Sequence, residues 1–313
     1  MNDMQMPMAE PRPTRSEWLQ RMDQIGNMHG FFDRVGAEHM ALYVQEGDTL
    51  LVTFDEVGRI LHNGRNALPV GFDAVSKREW SYLSLIAEGP TWFRDEALYT
   101  FFDRLIDEDF FDSFDQVIFF GAGPMCGHAA AAYSVASPGA SLLALSPAAS
   151  LNREDAPFEL RFRRAWRKDF RHRYGFAPAM AEAASQAVIV YDPAEMLDAA
   201  HAAQFRGPRV SRLRFRGAGG DILSLLEPNA NLDRCLKALA NGRLNPLRFA
   251  QITRRLRQTS PDYLKRLLRR AEERGGARLS MIAARHGLAA SGDADFARAM
   301  MTLEAAARGT APA

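Results

Sequence analysis

Short apolar runs along this chain alternate with stretches in which apolar residues return every three or four positions. The runs at 40–44, 49–54, 81–87, 116–120, 141–145, 187–191 and 212–215 read as seven strands. Several are apolar throughout rather than alternating, the pattern of strands covered on both faces. The first two read as an early pair joined by the turn-like Glu46-Gly47-Asp48. Residues 96–105 set Leu98, Phe101, Phe102 and Leu105 at helical spacing, and 127–136 and 194–205 do likewise. Strands alternating with helices predict a mostly parallel α/β sheet with helices on both faces.

After Asp221 the strand pattern stops, and 221–240, 246–257, 261–274, 280–285 and 294–306 read as helices. The cluster of breakers at 241–246 marks a boundary. The expected organisation is a flexible tail over 1–20, an α/β domain over 21–242 with an insert at 152–185, and a helical C-terminal appendage over 243–313. The last residues, 308–313, are expected to fray.

Composition narrows the class only a little. Hydrophobic residues make up 47% and charged residues 25%, ordinary for a globular chain. A formal charge of +1 provides no global field to recruit nucleic acid or a membrane. Two cysteines are too few for a disulfide framework. The N-terminus lacks an apolar secretory segment and no apolar run is long enough to span a bilayer, so a cytoplasmic location is expected. No cofactor or metal is implied.

Residues 116–134 (QVIFFGAGPMCGHAAAAYS) carry the sharpest pattern. A strand runs into a Gly-rich bend and then into an Ala-rich helix. This is the layout of a nucleophile elbow, in which a strained turn lifts one reactive side chain above the sheet in a G-x-S-x-G pattern. Gly121 and Gly123 supply the permissive backbone such a bend needs, and Gly127, Ala129 and Ala130 let the helix lie close on the sheet.

On these residues the chain resembles the α/β-hydrolase superfamily, in particular a branch whose elbow reads roughly "fyGxSMGGYaAl", followed by "vlAfsPq" and "vvyDP". The counterparts are FFGAGPMCGHAAA at 119–131, LLALSPAAS at 142–150 and VIVYDP at 188–193, within a resemblance covering about Leu50 to Glu227. It implies an α/β-hydrolase-like sheet carrying nucleophile, acid and histidine in that chain order, each beyond a strand's C-terminal end. Aligned on Met125 and Gly127, Pro124 takes the serine's place and Cys126 that of a Gly. Asp192 stands at the acid's place, and Gly220, in the loop 217–221, stands where the histidine is expected. The loop that should supply oxyanion donors begins with Asp55 and Glu56, whose charges would repel a developing oxyanion.

The implied function is a catalytically degenerate member of the superfamily, acting in binding or assembly. The alternative is an ester or thioester hydrolase with Cys126 as nucleophile, its thiol activated by a helix N-terminus. His128 lies only two residues away and does not face Cys126 on a helix, so His172 or His201 would have to supply the base. Cys126 equally reads as a small buried filler. Asp192 equally reads as an N-cap for the helix that follows, with Glu195 completing a capping box.

In the insert, Phe158, Phe162, Trp166, Phe170 and Tyr174 recur every four residues among arginines. They predict an amphipathic helix docked on the body. They also allow a lid in which Met125, His128, Phe162, Trp166, Arg167 and Phe170 line a pocket for a small acyl or anionic ligand. The appendage is basic, with Arg254, Arg255, Arg257, Lys265, Arg266, Arg269, Arg270, Arg274 and Arg278. This is either a solvated face or a contact for an acidic protein or a second copy. Nucleic acid is disfavoured because aromatics do not interleave with the basic residues. A remote alternative rests on the strand at 212–215 and the Gly-rich loop after it. Together they are faintly similar to the phosphate loop of nucleotide-handling PP-loop proteins, which include phosphoadenylyl-sulfate reductases.

Overall fold

In the computed structural model, which describes residues 12–63 and 65–309, eight strands form one sheet. They are β1 (Gly30–Val35), β2 (His39–Val44), β3 (Thr49–Glu56), β4 (Ser81–Ala87), β5 (Gln116–Ala122), β6 (Ser141–Leu145), β7 (Gln186–Tyr191) and β8 (Val210–Arg214). Their order in space is β1-β2-β4-β3-β5-β6-β7-β8. The six strands from β4 to β8 in that order are parallel, and β2 and β1 extend the sheet by antiparallel pairings. This is the expected α/β-hydrolase-like architecture.

All seven expected strands are present, and β1 is an eighth that the pattern did not reveal. Its residues GFFDRV are mostly half-exposed or exposed and include two charges, so no apolar run marks it. The expected pairing of the first two predicted strands is not formed. The β2 strand pairs with β1 and β4, while β3 lies between β4 and β5. Both are buried along most of their length, so their composition fits any interior position and does not select a partner.

The helices are α1 (Arg15–His29), α2 (Val57–Asn63), α3 (Phe72–Ser76), α4 (Glu96–Asp107), α5 (Gly123–Tyr133), α6 (Ala177–Met180) and α7 (Met196–Gln204). They continue with α8 (Leu223–Leu226), α9 (Asn231–Ala240), α10 (Pro246–Ile252), α11 (Arg254–Thr259), α12 (Pro261–Glu273), α13 (Ala277–Ser291) and α14 (Ala294–Gly309). One face of the sheet packs on α4, α5, α6 and α7 through Leu98, Phe102, Ala129, Ala130, Ala177 and Ala202. The other packs on α1 and the C-terminal helices through Trp18, Met22, Leu236, Phe249, Leu264 and Phe296. That second buried cluster runs without a break across residue 243. Phe215, just beyond β8, meets Phe249 edge-on at 5.4 Å and stacks on Tyr263 at 5.9 Å.

Three expectations are corrected. The tail does not extend to residue 20: Thr14 and Glu17 form a reciprocal capping box, and α1 buries Trp18 and Met22 completely. Residues 1–11 and 310–313 lie outside the described residues. The insert is not an amphipathic helix. It is a chain of turns with a short 3-10 segment (Arg163–Arg167) before α6. Side chains compete for its backbone: Asn152 accepts from Glu154 N, Glu159 from Arg161 N, and Asp169 from Arg171 N and His172 N. Finally, the expected helix over 221–240 breaks, because Asn229 and Ala230 adopt left-handed backbone between α8 and α9.

Among the described residues, no helix is long and apolar enough to cross a membrane.

The burial of Trp18 makes α1 a structural element of the core. Trp18→Ala is expected to lower stability by about 3–5 kcal/mol, the usual cost of truncating a buried large aromatic. Urea unfolding would measure this, and a loss below about 1 kcal/mol would contradict the packing described.

Candidate functional site

In an open, mostly parallel sheet, chemistry gathers in the loops beyond the carboxyl ends of the strands. Five of those ends converge here: Asp55 from β3, the bend after β5, Ser146 from β6, Asp192 from β7 and the loop 216–221 from β8.

The bend after β5 is built on two glycines. A Cβ on Gly121 would lie 2.0 Å from the Cys126 carbonyl oxygen and 2.9 Å from the Ala130 Cβ, so only glycine lets α5 return so close to β5. Gly123 carries the left-handed backbone, with φ +81°, and Pro124 follows it in the first turn of α5. The apex of the bend is therefore Gly123, not Pro124 or Cys126. In this register the pattern reads Gly121-Ala122-Gly123-Pro124-Met125, with glycine where a serine would stand and Met125 where the last glycine would stand. A Cβ on Gly123 would meet nothing within 4 Å.

Cys126 lies past the apex on α5 and is buried. Burial, and after it the nearby Asp55 carboxylate, pushes its thiol well above the ordinary range, with Arg59 opposing only in part. Both histidines that could supply its base are already paired with a carboxylate. His201 accepts from Ala149 N at Nδ1 (3.2 Å) and donates from Nε2 to Glu159 (3.0 Å). His172 is 82% exposed and paired to Asp169 at 2.7 Å. His128 is buried, with Nδ1 3.2 Å from the Ala148 carbonyl. Its burial and the neighbouring Arg94 push its pKa down to about 3, so it is held neutral.

The β3 end carries a closed ion pair. The buried Asp55 accepts from Arg59 Nε (2.6 Å) and Nη2 (2.5 Å), and from the backbone N–H of Glu56 and Val70 (both 2.8 Å). Arg59 also reaches Glu227 at 3.2 Å. The expected repulsion from two bare carboxylates is corrected here, because Arg59 neutralises Asp55. Glu56 is half-buried, and burial followed by Asp55 raises its pKa.

Asp192 is fully buried. Its carboxylate accepts from Ala194 N (3.0 Å) and Gly219 N (2.8 Å) and pairs with Arg270 of α12 at 2.6 Å. Burial alone would raise its pKa. The Ala194 N–H, Arg270 and the Gly219 N–H outweigh that and hold it below the usual carboxylate range. The expected capping box is not formed, since the Glu195 carboxylate turns to Arg270 (2.9 Å) instead.

The loop after β8 is gripped by α12. Tyr263 donates to the Arg216 carbonyl at 2.8 Å, and Arg266 donates to the carbonyls of Ala218 and Asp221 and to Ser224 Oγ. No histidine stands among residues 216–221, and Gly220 is exposed. The same contacts argue against a phosphate loop. The Gly219 N–H is spent on a carboxylate, and the helix that follows has only four residues.

The insert closes over the bend after β5. Trp92 packs with Phe162 at 5.0 Å, Phe170 at 5.9 Å and His128 at 6.2 Å, and its backbone N–H points to Met125 Sδ at 3.3 Å. Trp166 joins the rim of this cluster, under Arg153 at 5.0 Å, while Arg167 is exposed. A clasp ties the insert to α7: Glu159, paired with His201, and Arg161, which binds both Glu159 and Asp198 at 2.7 Å. Burial would raise the Glu159 pKa. The His201 and Arg161 hydrogen bonds outweigh that and bring it to about 2.

The sequence pattern marks Gly123 as part of the bend but not as its apex, and does not mark Arg59, Trp92, Glu159 or the role of Arg270. The Gly-Ala-Gly spacing at 121–123 was a usable signal for Gly123. The others are joined to their partners only by long-range packing. Among the described residues, no group of three or more His, Cys, Asp or Glu is arranged to hold a metal ion.

No protein-family model matches the chain, and no curated protein matches it. Solved structures with a similar backbone include an esterase from Pyrobaculum calidifontis, 15% identical, covering 74% of this chain and 92% of the esterase, with a TM-score of 0.44. They also include alpha/beta hydrolase domain-containing protein 10 from mouse, 13% identical, covering 66% of this chain and 98% of that protein, with a TM-score of 0.40. The capsule O-acetyltransferase of Neisseria meningitidis serogroup A is 11% identical, covering 67% of this chain and 99% of that enzyme, with a TM-score of 0.37. Likenesses at this level carry no assignment of activity.

Two of the groups that shape the acid response of the fold are Glu159 and His128. The depressed Glu159 stabilises the native state above its ordinary pKa of 4.5, and that stabilisation is lost as pH falls toward about 2. The depressed His128 resists protonation while the unfolded chain takes up a proton, so stability also falls from pH 6.5 toward about 3. Urea unfolding across this range is expected to show both losses. Glu159→Gln should flatten the lower one and His128→Gln the upper one.

Proposed function

We propose that this chain is a catalytically degenerate α/β-hydrolase-fold protein whose role is binding or assembly. The observation that carries the reading is the apex of the elbow: the residue in left-handed backbone is Gly123, which has no side chain to act as a nucleophile. Three features support it. The acid position, Asp192, is engaged by Arg270 and two backbone N–H groups rather than by an imidazole. The loop after β8 carries no histidine. The thiol nearest the bend, Cys126, is buried and held protonated. Without nucleophile and base together, positioning alone gives little acyl transfer.

The test is direct. Purified protein incubated with short-acyl p-nitrophenyl esters is expected to show no burst above a heat-denatured control, and a fluorophosphonate should leave no adduct. Cys126→Ala should be silent in both assays. Gly123→Ser places a hydroxyl in open space and is still expected to be inactive, for want of a base. A burst in the native protein that disappears in Cys126→Ala would instead identify an ester or thioester hydrolase.

A further inference from the structure

We infer that the cleft between α12 and the carboxyl ends of β7 and β8 binds a small amphiphilic anion, a phosphate or carboxylate carried on a short apolar chain. This specifies a ligand class for the binding role proposed above and rests on that reading. The cleft has a volume of about 590 Å³ and is lined by Arg216, Arg270, Arg274, Tyr263, Leu267 and Leu279, among others. Small-ligand sites generally span about 300–1,000 Å³.

Charge selects the head group. Arg270 is occupied by Asp192 and Glu195. Arg216 and Arg274 are exposed and form no ion pair with a carboxylate among the described residues. A guanidinium offers a planar fork of N–H donors that matches a carboxylate or phosphate, and it repels a cation.

The apolar wall selects the rest of the ligand. Leu279 is 60% exposed, one of the few large apolar side chains left open to solvent, and it lines the same cleft as Leu267. A bare inorganic anion would leave this surface uncovered. A neutral hydrocarbon would cover it but leave the arginines without a partner. An anion with a short chain satisfies both. Tyr263 and Gly217 fix the floor: the Tyr263 hydroxyl is held on the Arg216 carbonyl, and a Cβ on Gly217 would lie 2.7 Å from Leu267.

Calorimetric titration of the full chain with octyl phosphate and octanoate, both below micelle formation, tests the inference. One equivalent of either anion is expected to bind at least about tenfold more tightly than inorganic phosphate, with octyl glucoside unbound. Arg216→Glu with Arg274→Glu should weaken the anion by about tenfold or more, the scale of one lost charge-assisted hydrogen bond. Leu279→Ser should weaken octyl phosphate while leaving inorganic phosphate unchanged. Circular dichroism and melting confirm folding. If the double variant does not fold, Arg274→Gln and Leu279→Ser carry the test. Octyl anions binding no better than octyl glucoside, or affinities unmoved in folded variants, would overturn the inference. So would binding to anionic phospholipid vesicles with no binding of the free octyl anions. None of these readouts depends on ester turnover, so failure here leaves the reading of the elbow standing, and failure of that reading is seen separately in the ester and fluorophosphonate assays.

Discussion

A single buried carboxylate ties together three distant parts of this molecule. Asp192 follows β7, accepts a hydrogen bond from Gly219 beyond β8, and pairs with Arg270 on α12. An unpaired charge at that depth would be strongly destabilising, so strand end, loop and helix hold their places together. The C-terminal helices are thereby joined to the sheet by an ionic contact as well as by the apolar cluster around Phe215, Phe249 and Tyr263. What the sequence pattern sets apart as an appendage is anchored at the place where a hydrolase would hold its acid.

The bend after β5 obeys a different constraint, one of backbone proximity. Gly121 is required by the approach of the Cys126 carbonyl and Gly123 by its left-handed backbone. Around it, the aromatic cluster of Trp92, Phe162 and Phe170 and the clasp of Glu159, Arg161, Asp198 and His201 hold the insert down. Polar groups that could serve chemistry are instead consumed in structure: both His201 nitrogens are occupied, and Asp55 is saturated by Arg59 and two N–H groups.

Much of the fold was legible in the chain because burial on both faces writes continuous apolar runs, as in β3, β4, β6 and β7. The strand β1 was not legible, since it is a half-exposed edge with no such run. In the insert, aromatics at a spacing of four imitate a helix face, whereas Asn152, Glu159 and Asp169 capture its backbone locally. For the site, the position of Asp192 was readable from Asp-Pro after a strand. Its partner was not, because Arg270 lies far along the chain in a row of similar residues and nothing local distinguishes it. The register of the bend is not legible in the chain, because the left-handed backbone at Gly123 is not displayed by a sequence.

The open space above Gly123 separates two properties that are usually inherited together. Steric crowding fixes glycine at position 121, two residues earlier, whereas at position 123 only the left-handed backbone favours it. The shape of the bend and the identity of the group that crowns it are therefore set by different constraints, one by close approach of backbone and the other by backbone handedness alone.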